Sequence, residues 1–372
     1  MSKVLIRNAS EETVKQVVDE IFALYKVNLK GKRVFIKPNM LGAYTPDKGV
    51  TTNPALVKAI VEACEAQTDK IIVGDNPMRA LGIGGMDRTA ELSGLRQAAG
   101  KYYRNIGQEA DKVDIGSKLV DSVPISRVLR EIDYFINVAK FKTHILAGIT
   151  GCVKNLFGLM PGSVKAEMHF RLQHPKALTQ LFVDLYRYRI PDLNIVDALL
   201  GMEGDGPSHG RVKKIGKILA GTNGVEVDAV MAAMMGYTPV TKVKTLDIAN
   251  KEGLGEVDLD KIEIVGDFEV IPDFALPIGY IAPREAPQVL SLEDSYDNWN
   301  KIGTIRPMNI EEKCTQCGEC EEICPAGAIS LDPYPTVAEG KCISCFCCAE
   351  GCPEGAIVVP ENAHLYERFF SG

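Results

Sequence analysis

Nine of the chain's eleven cysteines fall between Cys314 and Cys352. They form two copies of one pattern, C-x2-C-x2-C-x3-C-P. Lys313 to Leu331 reads KCTQCGECEEICPAGAISL and Lys341 to Val359 reads KCISCFCCAEGCPEGAIVV, offset by 28 residues with ten of nineteen positions identical. Three thiolates this close on one tight loop reach three corners of a single cubane, and the fourth, a turn further on, ligates the other cluster. The spacing predicts Cys314, Cys317, Cys320 and Cys352 around one [4Fe–4S] cluster, and Cys342, Cys345, Cys348 and Cys324 around a second. Pro325 and Pro353 fix φ just after each fourth ligand. Cys347 has no place in the pattern and reads as a spare thiol. The alternative is a pair of structural zinc sites, but zinc frameworks usually pair two CxxC knuckles at wider separation. A cluster held by four thiolates moves one electron at a time and offers no open iron. The motif therefore speaks for electron transfer and not for the fate of the electrons.

The repeat closely resembles bacterial-type two-cluster ferredoxins. It is also acidic. Residues 308–359 hold nine Asp and Glu against two Lys, a balance of −7 that equals the net charge of the whole chain. The remainder is near neutral. An external redox partner protein is expected to present a basic face to this tail.

A second set of candidate residues lies earlier, where polar groups follow short apolar runs. Lys37-Pro38-Asn39 follows Val34-Phe35-Ile36. Gly74-Asp75-Asn76-Pro77 follows Ile71-Ile72-Val73. Lys140-Phe141-Lys142-Thr143-His144 follows Tyr134 to Ala139. Asp197, and then Glu203-Gly204-Asp205-Gly206-Pro207, follow Leu193 to Val196. Gly221-Thr222-Asn223 follows Ile215 to Ala220. In open α/β sheets ligands bind outside the carboxyl ends of the strands, so five such ends read as one converging site. If the strand at Tyr134 continues, Lys140, Lys142 and His144 share a face. Two ammonium groups and an imidazole on one face repel unless an anion sits between them. With Lys154, Asn155, Lys165, His169, Arg171 and His174, they predict a pocket for an acidic organic ligand such as a carboxylate, a phosphate or a CoA-like group. Asp75 and Asn39 complete the lining. His144 or Lys37 is the expected proton donor, since reducing an organic substrate needs protons as well as electrons. The alternative is a solvated basic loop.

Other features weigh less. Gly148 to Gly162, GITGCVKNLFGLMPG, allows close backbone approach to a ligand, and amides at a following helix start can bind an anion. Asp197, Glu203 and Asp205 form an acidic set able to hold a divalent metal, although a capped turn explains them equally well. Cys64 reads as core. Cys152 reads as packing, with Lys154 near enough to lower its pKa as the alternative. Leu81 to Met86 is a weak Gly-rich match without the preceding strand that a dinucleotide fingerprint requires.

The elements that must position these residues are short β-branched strands alternating with amphipathic helices. Asn53 caps a helix begun by Pro54, with Leu56, Val57, Ile60, Val61 and Cys64 on one face. Val225 to Met235 reads as a helix and Ile262 to Val265 as the last strand. The expectation is an α/β fold with a largely parallel sheet over residues 1–300, and a small α+β two-cluster ferredoxin-like domain over 301–372. Prolines 272, 277, 283, 287 and 307 mark a linker from about residue 270. With 46% apolar and 24% charged residues the chain is not disordered, and its acidic balance argues against nucleic-acid binding. No apolar run approaches a membrane span, and no secretory leader is visible at the start. The expected location is the cytoplasm, in a reducing or anaerobic setting.

The runs KPNML (Lys37 to Leu41), TTNP (Thr51 to Pro54), GDNP (Gly74 to Pro77), NVAKFKTH (Asn137 to His144), TGCVKNLFG (Thr150 to Gly158) and MEGDGP (Met202 to Pro207) resemble the DUF362 family. This domain of unknown function is often joined to ferredoxin-type clusters. The resemblance implies the same domain division and iron–sulfur chemistry, and no reaction. Three functions compete. One is a ferredoxin-linked reductase of an anionic substrate or second organic cofactor. Another is a dedicated electron carrier whose large domain docks a partner. The last is a ligand-binding protein that senses redox state. The roughly 300 residues beyond what a carrier needs favour the reductase.

Overall fold

The structure is a computed structural model that describes residues 3–77, 85–172, 175–277, 306–338 and 340–360. In chain order the larger part carries β1 (Lys3–Asn8), α1 (Val14–Leu24), β2 (Val34–Lys37), α2 (Pro54–Glu65), β3 (Ile71–Val73), α3 (Gly85–Leu92), α4 (Leu95–Ala99), β4 (Ala110–Val113) and β5 (Val123–Ser126). It continues with β6 (Tyr134–His144), β7 (Gly148–Ile149), α5 (Gly151–Asn155), α6 (Gly162–Arg171), α7 (Pro175–Tyr188), β8 (Leu193–Glu203), β9 (Arg211–Gly221), α8 (Gly224–Met234), α9 (Lys244–Lys251) and β10 (Glu263–Gly266).

The main sheet runs β10-β1-β9-β8-β6-β2-β3, with β7 folded back on β6. Pairing is parallel except where β9 meets β8 and β1 and where β7 meets β6. Both faces are covered, so neighbouring strand residues go to opposite cores. Val34, Ile36, Ile136 and Val138 pack with α1 and α2, whereas Phe35, Phe135 and Ala139 pack with α5, α7 and α8. Helix α2 begins as its residues dictate. Asn53 Oδ1 accepts the Ala55 N–H at 2.8 Å, and Leu56, Val57, Ile60, Val61 and Cys64 are all buried.

Three strands are longer than their apolar runs suggest. Strand β6 stays buried through His144, and β8 and β9 extend as a long antiparallel pair. The β6–β8 register shifts between Lys140 and Lys142, so β8 bulges just past Asp197. Strand β1 and helix α1 escaped the sequence reading.

The direction of β9 corrects one expectation. Because β9 is antiparallel, Gly221 pairs with Asn194 at the start of β8, on the edge opposite the ends of β2, β3 and β6. Gly221-Thr222-Asn223 is therefore not part of a converging site. Asn223 instead caps α8, its Oδ1 accepting the Val225 N–H at 2.9 Å.

The small C-terminal α+β domain holds β11 (Met308–Asn309), α10 (Glu319–Glu322), β12 (Ile329–Leu331), β13 (Pro335–Val337), α11 (Cys347–Gly351) and β14 (Ile357–Val358). It has two small antiparallel sheets, β11–β14 and β12–β13. Of the proposed linker, 278–305 lies outside the described residues. The stretch before it straps the large domain: Phe274 packs edge-on against Phe141 at 5.9 Å, and the Ala275 N–H donates to Glu203. Among the described residues no helix is long and apolar enough to cross a membrane.

Candidate functional site

The ends of β2, β3 and β6 do converge. Lys37 closes β2 and its Nζ lies 2.7 Å from Asp75 Oδ1, just past β3. Asn155, on α5, accepts from Lys37 Nζ at 3.2 Å and from Asn39 Nδ2 at 2.9 Å. Asn155 in turn donates to Asn137 on β6, which donates to Asn194 on β8. This chain of amides holds the lysine in one geometry. Asp75 is itself anchored by the N–H groups of Met40 and Asn76, at 2.7 and 2.9 Å. Gly158 is required here, since a Cβ would stand 2.1 Å from Asp75 Oδ1 and 2.6 Å from Lys37 Nζ.

Lys140, Lys142 and His144 are all buried, but each has its own partner. Lys140 Nζ sits 2.7 Å from Asp197 Oδ2, which also takes the Asn53 N–H at the start of α2. Lys142 donates to the Val50 carbonyl at 2.8 Å. His144 Nδ1 accepts from the Leu146 and Ala147 N–H groups, which leaves the ring proton on Nε2, 3.4 Å from Glu350 Oε1. Part of the counter-charge that the repulsion argument called for is therefore supplied by the protein itself.

Glu350 belongs to the small domain, between Cys348 and Cys352. Sequence reasoning missed it. The same position in the first repeat is Glu322, which is exposed, so the motif does not say which copy docks. Docking uses the main chain as well. The Glu350 carbonyl accepts from Ser208 Oγ at 3.1 Å and Tyr44 Oη at 3.4 Å, and His209 Nε2 donates to the Cys352 carbonyl at 2.7 Å. His209, to which the sequence assigned no role, is thus a docking residue.

Lys154, Lys165 and His169 join the same interior. Lys165 reaches from α6 to the Asn76 carbonyl. Lys154 stands 5.3 Å over the Phe182 ring. His169 packs edge-on against Phe157. Arg171 does not join them; it is exposed and pairs with Glu167 at 3.4 Å, while His174 lies outside the described residues.

Burial dominates the electrostatics. It pushes Lys37 down against the pull of Asp75, and pushes Lys142 far down with help from Lys154 and Lys140. It lowers Lys154 to about 8 against the pull of Glu350, and Lys165 to about 7 against the pull of Asp75. His144 is driven well down by burial, Lys154 and Lys142, and His169 falls to about 3 for the same kind of reason. Glu350 is raised by burial, opposed by Lys154 and Lys142.

Two further expectations are corrected. The glycine-bearing run is not an open anion loop, because Asp228 of α8 already fills the start of α5. Its carboxylate accepts the Cys152 and Val153 N–H groups at 2.6 and 2.9 Å. Cys152 is buried beside that carboxylate, and its thiol is pushed well up, not down. The acidic set is dispersed. Asp197 serves Lys140, and Glu203 pairs with Arg211 and Lys213 at 3.0 Å each. Cys64 is core. Most of the Leu81 to Met86 run lies outside the described residues.

In the small domain Cys314, Cys317, Cys320 and Cys352 line one cavity, and Cys324, Cys342, Cys345 and Cys348 line another. Four thiols per cavity are a donor set that suits a cubane. Among the described residues no three His, Cys, Asp or Glu side chains close on a single-ion position. Cys317 is exposed, whereas Cys345 and Cys348 lie on the side of the second cavity that continues into α11 and Glu350. Cys347 is fully buried.

The chain is 27% identical over 262 residues to the thylakoid-associated protein sll1697 of Synechocystis, covering 68% of this chain and 80% of that one. Among solved structures it is similar to the lactate racemase apoprotein from Thermoanaerobacterium thermosaccharolyticum, with a TM-score of 0.39 and 14% identity. That match takes in 60% of this chain and spans 54% of the racemase chain, about half its length. Residues 308–330 match the 4Fe-4S binding domain, which brings iron–sulfur electron transfer with it. Residues 34–233 match the domain of unknown function DUF362, more than half of the chain, and the chain therefore belongs to the DUF362 family.

Proposed function

We propose that this protein is a ferredoxin-linked reductase. Electrons pass through two [4Fe–4S] clusters to an anionic organic substrate or cofactor held at the ends of β2, β3 and β6. Cys314, Cys317, Cys320 and Cys352 would hold one cluster, and Cys324, Cys342, Cys345 and Cys348 the other. Each cluster supplies a one-electron carrier when bound.

The observation that carries the reading is the burial of Glu350. A residue of the second cysteine loop lies within the electrostatic reach of Lys142, Lys154 and His144. Glu350 thus brings the second cysteine loop to the lysine-rich strand ends of the large domain. Lys140, Lys142 and Lys154 attract the anion. Asn39, Asn155 and Asp75 set the position of Lys37. Lys37 is our proposed proton donor, since its lowered pKa makes its ammonium a stronger acid than a surface lysine, and His144, held neutral by burial, would donate a hydrogen bond from Nε2 to the ligand.

The test is an anaerobic potentiometric titration followed by electron paramagnetic resonance. Negative charge brought close to a cluster disfavours adding an electron to it. Saturating malonate is expected to lower the potential of one cluster and leave the other unchanged, and Lys154→Met to remove the effect. Two potentials that ignore both malonate and the substitution would overturn the reading in favour of a simple carrier.

A further inference from the structure

Among the described residues, the interior at the strand ends gathers more basic than acidic side chains. Five lysines, Lys37, Lys140, Lys142, Lys154 and Lys165, share it with three acids, Asp75, Asp197 and Glu350. Lys37 and Lys140 have carboxylates at 2.7 Å. Lys142 and Lys165 reach only backbone carbonyls. Among the described residues Lys154 has no hydrogen-bond partner; it stands over the Phe182 ring, within the electrostatic reach of Glu350. Among the described residues the lysines outnumber the acids by two. Unbalanced charge inside a protein is far more costly than in water.

Unsatisfied polar atoms gather at the same edge. Asn39 Oδ1, Thr51 Oγ1, Asn76 Nδ2 and Thr150 Oγ1 are buried and have no hydrogen-bond partner among the described residues. Asn39 and Asn76 follow β2 and β3, Thr51 precedes α2, and Thr150 precedes α5. Buried groups of this kind are ordinarily hydrogen-bonded, so a cluster of them beside lysines that outnumber the acids suits a polar, anionic ligand.

A cleft of ≈ 410 Å³ between the domains is bordered by Tyr44, Lys48 and Arg88 on one side and by Cys317, Glu319 and Glu354 on the other, and it shares Glu350 with the interior.

We propose that the strand-end interior binds a compact dianion, one negative charge for each surplus lysine, which the bound charge keeps protonated. This rests on the reading of the strand ends as an anion site and specifies its ligand class. A single carboxylate leaves one ammonium uncompensated. A bulky polyanion does not suit walls in which Lys37, Lys140, Lys142 and Lys165 are each at most 4% exposed. The two charges come from a dicarboxylate or from a tetrahedral oxyanion.

The experiment is isothermal titration of the cluster-loaded protein at pH 7, without oxygen and at fixed ionic strength, with malonate, sulfate and acetate as probes. Malonate or sulfate is expected to bind at least about tenfold more tightly than acetate, the ratio that one further well-placed charge gives. Tighter malonate identifies a dicarboxylate site, and tighter sulfate a tetrahedral one; both support the proposal. Lys154→Met is expected to cost the dianion about tenfold and acetate much less. Lys154→Arg keeps the charge and should retain binding, which separates a charge effect from misfolding. Acetate binding as tightly as both dianions would overturn the dianion and leave the anion site standing. Heat from none of the three would overturn both.

Discussion

Lys37 and Asp75 form an ion pair with 2.7 Å between nitrogen and oxygen, and neither side chain has meaningful contact with water. The pair joins the ends of two parallel strands and lies directly under Gly158. Breaking a buried pair by removing one partner leaves the other charged and unmatched. Asp75→Asn is expected to lower unfolding stability by about 3–5 kcal/mol. Adding Lys37→Met should restore much of the loss, because no bare ammonium then remains. Denaturant unfolding of the two variants checks this, and a neutral single substitution would contradict it.

Gly158→Ala tests the same pair by shape. The added methyl would sit 2.1 Å from Asp75 Oδ1. Overpacking of this kind costs about 1–3 kcal/mol. In the Asp75→Asn, Lys37→Met background the penalty should differ, since the atoms the methyl meets are no longer a rigid ion pair. Equal penalties in both backgrounds would mean that the glycine serves something else.

The lysines give a pH dependence of definite sign. Lys154 and Lys165 have pKa values of about 8 and about 7 in the folded protein, below an ordinary value of 10.5. Between pH 7 and about 10 the unfolded chain therefore holds more protons than the folded one. These groups make ligand-free protein more stable as pH rises through that window. The slope reaches about 1.4 kcal/mol per pH unit for each group. Lys165→Met should flatten the curve. Stability falling across the window in the parent, with the slope unaltered by the substitution, would refute the assignment.

Glu350→Gln separates docking from charge. The bonds from Ser208 and Tyr44 end on the main-chain carbonyl, so the domains should stay docked. Lys142 and Lys154 lose their shared carboxylate. The variant should be more destabilised at pH 7, where Lys154 with its pKa of about 8 is mostly protonated, than at pH 9. Melting curves at the two pH values decide it.

His209→Ala removes the 2.7 Å bond to the Cys352 carbonyl and the ring that packs against Gly355. A hydrogen bond of this kind contributes about 0.5–1.5 kcal/mol. The variant should lose iron to a chelator faster than the parent. Unchanged loss would show that the contact does not hold the Cys352 loop.

What could be read in advance follows from range. The cysteine repeat, the α2 cap at Asn53 and the apolar runs of β2, β3 and β6 are local, and local patterns appear in the chain order. Lys37, Asp75, Lys140 and Lys142 were legible because parallel strands bring their ends to one edge. Asn223 was misplaced because nothing in β9 itself declares that it runs against its neighbours. Asp228 and Glu350 were missed for a related reason. Each is an acid on a short helix whose meaning comes from a partner about 75 or 200 residues away, Cys152 for one and Lys142 and Lys154 for the other. Glu322 and Glu350 occupy the same repeat position, yet only the second is buried, so docking alone tells them apart.

Native mass spectrometry of protein purified without oxygen, set against its denatured mass, tests the central claim most directly, because it weighs iron, sulfide and any organic ligand together. The account predicts the mass of two [4Fe–4S] clusters, with a small organic anion that is lost in Lys154→Met. Zinc in place of the clusters, with anaerobic handling verified, would contradict the claim that this chain carries electrons to its lysine-lined interior.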